Sequence, residues 1–272
     1  RQAELLMRIP VTHAAEALRP VYERTGGRQG YVCAQVNPAR AGDREVMLPM
    51  AGRLHAWAPN IAVKLPATAA GLDVLEECVA EGITVAATVS FTVPQAIAVA
   101  ERHRRGAGRA RAAGVAPGRC FAVLMIGRLD DYLREVARDA RADAGEADVR
   151  QAGLAVAKRA YSIYRAERYD AVLLVAAMRG THHVAELAGA DLILSIAPPF
   201  QEQVLAGGLP QEERIGAEVA PDVIARLSRM PEFVRAYEPD GLAPEEFVSY
   251  GVTQRTLAQF SDAGWRLMES FR

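Results

Sequence analysis

The sequence predicts an α/β protein built on a parallel sheet, of the (β/α)8 TIM-barrel kind. Three observations lead there. Its length of 272 residues suits an eight-fold barrel and is enough for one extensive core. Short runs that are apolar on both faces recur along the chain, as strands buried in a parallel sheet are. Amphipathic segments of helical period separate them, and strand–helix–strand repeated in this way argues for parallel pairing.

Taken in order, residues 1–30 read as helix and loop, running through Leu18–Thr25 into Gly26-Gly27 without a strand. Strands are expected at Tyr31–Val36, Ile61–Leu65, Thr84–Phe91, Cys120–Ile126, Ala171–Ala177 and Leu192–Ile196. Helices are expected near 42–57, 68–81, 93–113, 129–168 and 181–189. Glu81-Gly82 ends a helix as a C′ glycine should, and Gly114 to Gly118, around Pro117, does the same before Cys120. Asn37-Pro38 and Leu65-Pro66 close strands and open loops. The long charged stretch 129–168, interrupted by Gly145, reads as two helices. Residues 208–272 read as a helical C-terminal extension with apolar anchors Trp265, Leu267 and Phe271, packed on the barrel within a single domain, 1–272. Six strands fall short of eight. Because the chain opens on Arg rather than Met, the first strands are expected upstream of residue 1 or missing.

Composition narrows the function. Half the residues are hydrophobic, 24% are charged and the net charge is −1. That balance argues against nucleic acid or a membrane as a general partner. No apolar run is long enough for a membrane span and no secretory leader is visible, so the expected location is the cytoplasm. Cys33, Cys78 and Cys120 are odd in number and widely spaced, which fits three reduced, buried thiols rather than disulfides or a zinc site.

The cations are more telling. Of 32 basic residues, 30 are Arg; the two Lys are Lys64 and Lys158. Lys158 lies in a polar helical stretch and reads as solvated. Lys64 interrupts the apolar run Ile61-Ala62-Val63-Lys64-Leu65-Pro66. Burial disfavours a Lys charge, and a neutral amine is what attacks a carbonyl to form an imine. A Lys near a strand's end can also snorkel to solvent, so position alone leaves both readings open. The scarcity of Lys favours function.

The stretch from Asn60 through Lys64-Leu65-Pro66-Ala67-Thr68 to Leu72, followed by Glu81-Gly82-Ile83 and Ala87-Thr88, resembles the transaldolase family of Schiff-base (class I) aldolases, which includes the fructose-6-phosphate aldolases. The resemblance runs from about Tyr31 to Ala197. It implies that Lys64 forms the Schiff base and that Thr88 helps hold a catalytic water. Gln35-Val36-Asn37 stands where transaldolases carry Glu-Val-Asp, and Gln at this place is the fructose-6-phosphate aldolase choice. Gln cannot act as a general acid or base, though it can orient a water. Ile126-Gly127-Arg128 and Ala177-Met178-Arg179 resemble the family's two phosphate-binding strand ends. Arg179, Arg128 and Asn37 are therefore expected at the substrate, and paired guanidinium donors suit a phosphate.

Departures accompany the likeness. Ala86, Val123 and Ala177 replace polar residues of the family, and Met125 stands where relatives have Phe or Tyr. The family's first-strand Asp and its second-strand Thr-Thr-Asn-Pro are not found in the chain. The resemblance implies a cofactor- and metal-independent enzyme of carbohydrate metabolism, of the pentose phosphate kind. It would make or break a carbon–carbon bond in a sugar phosphate or other anionic ketose by transferring or releasing a dihydroxyacetone unit. The relatives often form homo-oligomers. Two other readings stay open: a catalytically impaired barrel that binds sugar phosphates or acts as a scaffold, and another Schiff-base chemistry such as decarboxylation or dehydration. His182-His183 reads as surface or helix-cap residues, and the basic run 102–111 as a solvated helix and loop.

Overall fold

Residues 2–210 and 212–271 are described by the computed structural model. Helix α1 (Gln2–Arg24) precedes β1 (Val32–Gln35), a short 3-10 turn (Pro38–Arg40) and α2 (Arg44–His55). Then come β2 (Ile61–Pro66), α3 (Ala69–Ala80), β3 (Val85–Thr88), α4 (Val93–Ala112) and β4 (Cys120–Met125). The stretch 129–168, expected as two helices, is divided near Gly145 but holds a short third one between them: α5 (Ile126–Ala140), α6 (Glu146–Val149) and α7 (Ala152–Glu167). Strand β5 (Val172–Ala176), α8 (Thr181–Glu186) and β6 (Ile193–Leu194) complete the sheet. The remaining helices are α9 (Pro198–Leu205), α10 (Pro221–Leu227), α11 (Pro231–Tyr237), α12 (Gly251–Phe260) and α13 (Arg266–Glu269), with a π-helical turn at Ser261–Trp265.

The six strands form one sheet in the order β1-β2-β3-β4-β5-β6, every pair parallel. This is the expected α/β architecture. Among the described residues the sheet is open, with β1 and β6 at its edges, so six of a barrel's eight strand positions are filled. Side chains alternate across the sheet. Val63, Leu65, Val85, Ala87, Ala122, Leu124, Leu173 and Val175 point to the helices and form the main core. Ala62, Ala86 and Phe121 form a second cluster with Tyr31, Val172 and Leu174 on the opposite, inner face. Tyr31 meets Phe121 edge-on at 5.4 Å and Tyr22 at 5.2 Å, packing aromatic rings around the base of that face.

Several expectations need correction. Of the expected C-terminal anchors only Trp265 is buried; Leu267 and Phe271 are exposed. Strand β3 stops at Thr88 rather than Phe91, because Val89 adopts φ 55°, a left-handed conformation that a β-branched residue rarely takes and that turns the chain out of the sheet. Cys33 is exposed on the inner face, so only Cys78 and Cys120 are buried thiols. Burial pushes the Cys78 thiol up to about 12. Lys158 is not solvated. Its side chain is 9% exposed, and its ammonium donates to Glu186 at 3.0 Å, the Arg214 carbonyl at 3.0 Å and the Ala217 carbonyl at 2.6 Å. Three convergent acceptors match an ammonium's three protons, which a planar guanidinium cannot reproduce. The basic run in α4, by contrast, lies along the acidic residues of α3: Arg102 pairs with Asp73 and Arg109 with Glu77.

Lys158→Met is expected to destabilise the fold by about 2–3 kcal/mol, because it leaves two carbonyls and one oxygen of the Glu186 carboxylate without their donor, the other oxygen staying paired with Arg214. Lys158→Arg should recover only part of this. Urea unfolding of both variants, with limited proteolysis of the 212–219 segment, measures it.

Candidate active site

Strand register brings three of the predicted residues together. Gln35 pairs with Lys64, and Lys64 with Ala86, so Gln35, Lys64 and Ala86 share one row of the inner face. Thr88 pairs with Pro66, one pleat step further toward the strand ends. Lys64 and Thr88 are thus diagonal neighbours, their Cα atoms roughly 8 Å apart by strand spacing and rise. The row continues through Phe121 and Val172, which are apolar.

Within this setting Lys64 is half-buried and makes no hydrogen bond or ion pair among the described residues. The contrast with the fully engaged Lys158 is sharp. Gln35, also half-buried, likewise makes no hydrogen bond through its amide. Thr88 is buried, and its hydroxyl has only the Met125 sulfur nearby, at 4.0 Å. A thioether is a weak acceptor, so the Thr88 hydroxyl stays available to a water or substrate.

Asn37 takes a more structural place. Its Oδ1 accepts from the Ala39 N–H at 3.0 Å and caps the Pro38–Arg40 turn.

The two arginines stand at the C-terminal ends of β4 and β5. Arg128, in the first turn of α5, donates to Gln259 at 2.6 Å and lies over the Phe260 ring at 5.2 Å. No carboxylate pairs with it within 4 Å among the described residues. Burial, and then the like charge of Arg179, pull its pKa below the usual value. Arg179 is held more firmly: Nε and Nη2 donate to one oxygen of Asp131, at 2.9 and 2.6 Å, and Nη1 to the Ala177 carbonyl at 2.7 Å. Burial works to raise the Asp131 carboxyl, but hydrogen bonds from Arg179 and Arg134 outweigh it and hold it below the ordinary value. Gly127 makes this approach possible. A Cβ there would lie 2.2 Å from the Ala177 carbonyl oxygen and 2.7 Å from the Arg179 Cγ.

Gln35 and Arg128 share a cavity of about 330 Å³, walled by Met7, Phe260, Trp265 and Met268. The C-terminal helices therefore reach over the strand ends, and the π-helical turn supplies the wall. A larger cavity of about 640 Å³ lies between α7 and the 215–221 segment, and none of the six candidate residues lines it. The smaller one, at the carboxyl ends of the strands, is where parallel α/β folds place ligands. No cluster of three His, Cys, Asp or Glu able to hold a metal ion occurs among the described residues. No helix among them is long and apolar enough to cross a membrane.

Sequence reasoning missed Gln95. It is fully buried and ties the loops after β2 and β3 together. Its NH2 donates to the carbonyls of Ala67 and Val89, both at 3.1 Å, while its oxygen accepts from the Phe91 N–H at 2.9 Å and the Thr92 hydroxyl at 3.1 Å. Thr92 in turn caps α4 through the Gln95 N–H. The signal was present as Thr92-Val93-Pro94-Gln95, a capping-box spacing with Pro in the first turn, at the second helical position. His183 was also misread: it is fully buried rather than on the surface.

Gln95→Leu, which orphans two carbonyls, an N–H and a hydroxyl around Val89, is expected to cost about 3 kcal/mol in denaturant unfolding. Gln95→Glu should be nearly as damaging, because a carboxylate cannot donate to the two carbonyls.

Comparison with known proteins agrees with this geometry. The family model described as transaldolase/fructose-6-phosphate aldolase matches residues 1–247. Transaldolase 1 of Streptomyces avermitilis is 37% identical over 159 residues, covering 57% of this chain and 42% of that protein. The transaldolase of Thiobacillus denitrificans is 33% identical over 168 residues, 60% of this chain and 47% of that protein. That of Neisseria gonorrhoeae is 36% identical over 127 residues, 45% and 36% respectively. The matches span less than half the length of these relatives. With a family match across most of its length and a parallel sheet presenting Lys64 on its inner face, the chain belongs to the transaldolase/fructose-6-phosphate aldolase family.

Proposed function

We propose that the protein is a Schiff-base enzyme that makes or cleaves a carbon–carbon bond in a sugar phosphate or related anionic ketose. The observation that carries this is Lys64: a half-buried amine with no hydrogen bond or ion pair among the described residues, interacting electrostatically with the Cys33 thiol, beside Gln35 in the neighbouring strand and one step below Thr88. The unprotonated amine adds to the substrate carbonyl, and loss of water gives an iminium. The bond between the α and β carbons then breaks. Its electron pair passes into the iminium to leave an enamine on Lys64, and the β-hydroxyl gives up its proton as the departing aldehyde forms. Addition of the enamine to a second aldehyde transfers the three-carbon unit; protonation and hydrolysis release dihydroxyacetone.

In this reading Thr88 and Gln35 hold the water that relays protons. Gln35 can orient that water but not deprotonate it, which favours direct aldol chemistry over transfer. Arg179 and Arg128 receive the anionic tail, and the Asn37 NH2 a hydroxyl. The imine is itself the electron sink, so the reaction asks for no cofactor or metal. The near-neutral charge and ion-paired α4 fit a cytoplasmic enzyme without nucleic-acid or membrane partners. We take residues 1–272 as one domain that includes the C-terminal helices, and its outer helices as the surface by which copies associate.

Treatment with dihydroxyacetone or fructose 6-phosphate and borohydride is expected to leave a reduced adduct on Lys64, located by peptide mapping. Lys64→Arg should abolish it. With Lys158 engaged by three acceptors, it should stay unmodified. Absence of an adduct across a panel of ketoses would make a binding or scaffold role the better reading.

A further inference from the structure

Behind Arg179 lies a buried pair that the mechanism does not use. Asp130, 2% exposed, turns inward from α5, while its neighbour Asp131 turns outward to the Arg179 guanidinium. His183 of α8, fully buried, lies with Nε2 3.3 Å from the Asp130 Oδ2. The ring N–H does not point squarely at that oxygen, so the contact is chiefly electrostatic. On the other side of the ring, Nδ1 accepts the backbone N–H of Arg179 at 3.2 Å. Nδ1 must therefore be unprotonated and the ring proton sit on Nε2, toward the carboxylate.

The far end of this chain is also fixed. The other Asp130 oxygen, Oδ1, accepts the Gly153 N–H at 2.7 Å, at the start of α7. A Cβ on Gly153 would meet the Ile126 carbonyl oxygen at 2.6 Å, so α7 approaches the first turn of α5 as closely as backbone allows. The line Gly153–Asp130–His183–Arg179 thus runs from the helix layer to the strand end. It terminates on a backbone atom two residues after Ala177, whose φ of 57° is left-handed. An Ala in that conformation persists only where its surroundings hold it.

We propose that the buried Asp130–His183 pair is the positioning element for Arg179: it fixes the backbone from which the guanidinium reaches the substrate's anionic group, and so sets affinity for phosphorylated substrates without touching them. The inference rests on the reading of Arg179 as an anion-binding residue. His183 presents one nitrogen to each partner, so two substitutions of similar size separate its roles. In His183→Asn the amide oxygen can stand where Nδ1 stood and accept the Arg179 N–H. In His183→Gln the polar atoms lie further out, near the place of Nε2, and the Arg179 N–H is left without an acceptor.

The test is calorimetric titration of the chain and its variants with fructose 6-phosphate and with inorganic phosphate, alongside the rate of borohydride-trapped adduct formation with dihydroxyacetone, which carries no phosphate. His183→Gln is expected to weaken fructose 6-phosphate and phosphate about tenfold, as loss of one positioned interaction would, and to leave the dihydroxyacetone rate unchanged. His183→Asn should bind both within about threefold of the parent. Asp130→Asn, which keeps the shape and drops the charge, gives the same measurement from the other end and should weaken phosphate but not dihydroxyacetone. Equal losses with both ligand types in His183→Gln would mark a merely structural role and overturn the proposal. So would equal phosphate affinity in His183→Gln and His183→Asn. Arg179→Met separates the two levels: if it binds phosphate as the parent does, the anion-site reading falls and the proposal with it. If Arg179→Met loses phosphate while His183→Gln does not, only the positioning role is overturned.

Discussion

Parallel pairing is the constraint on which the rest of this molecule depends. Strands that all run one way must be joined by crossovers, and here helices α2, α3, α4, α5, α7 and α8 lie in those connections. The face they cover becomes the main core. The opposite face is left to whatever the alternate positions of each strand supply, and the strand ends gather at one rim. Lys64, Gln35 and Thr88 share a face because side chains alternate with period two, and the register sets Gln35 level with Lys64 and Thr88 one pleat step above them. A one-residue slip in β2 would turn Lys64 into the helix layer and bring Val63 out.

The inner face divides into regions of different chemistry. Its base is aromatic and apolar, with Tyr31 and Ala62 packed beneath Ala86 and Phe121. Its rim is polar and charged. Between them the amine of Lys64 sits in a belt where Ala86, Val172 and Leu174 offer no competing hydrogen bond. Rigid packing below and backbone ties above, at Gln95 and His183, let the rim hold two left-handed non-glycine residues, Val89 and Ala177, each immediately beyond a strand. Strain of this kind costs on the order of 1–3 kcal/mol per residue and needs buried hydrogen bonds around it.

The strands and most helices were legible in the sequence because their evidence is local: apolar runs, a period, a glycine after a helix. Lys64 was legible because a lone amine in an apolar run is expensive. What escaped was set by contacts between distant segments. Nothing in the run around Lys158 shows that the carbonyls of Arg214 and Ala217 will converge on it. The pairs Asp130-Asp131 and His182-His183 look like solvated polar dipeptides. Only the meeting of α5 with α8 decides that Asp130 and His183 turn inward while Asp131 turns out. The end of β3 was overrun by three residues because apolar Val89 and Phe91 continue the strand's composition, while the turn there is imposed by the backbone conformation at Val89 and supported by Gln95.

The near-absence of lysine has a chemical consequence for how this surface meets carbonyl compounds. Reducing sugars condense slowly and without catalysis with exposed amines, the first step of glycation. A guanidinium stays protonated at neutral pH and does not form that imine. Among 32 basic side chains only two are amines, and one of these is already bonded to three acceptors inside the fold. A simple aldehyde or ketone at this surface therefore meets cations that form no imine with it. Lys64 is left as the side-chain amine where a covalent bond can form, so an arginine-rich exterior doubles as protection against adventitious adducts.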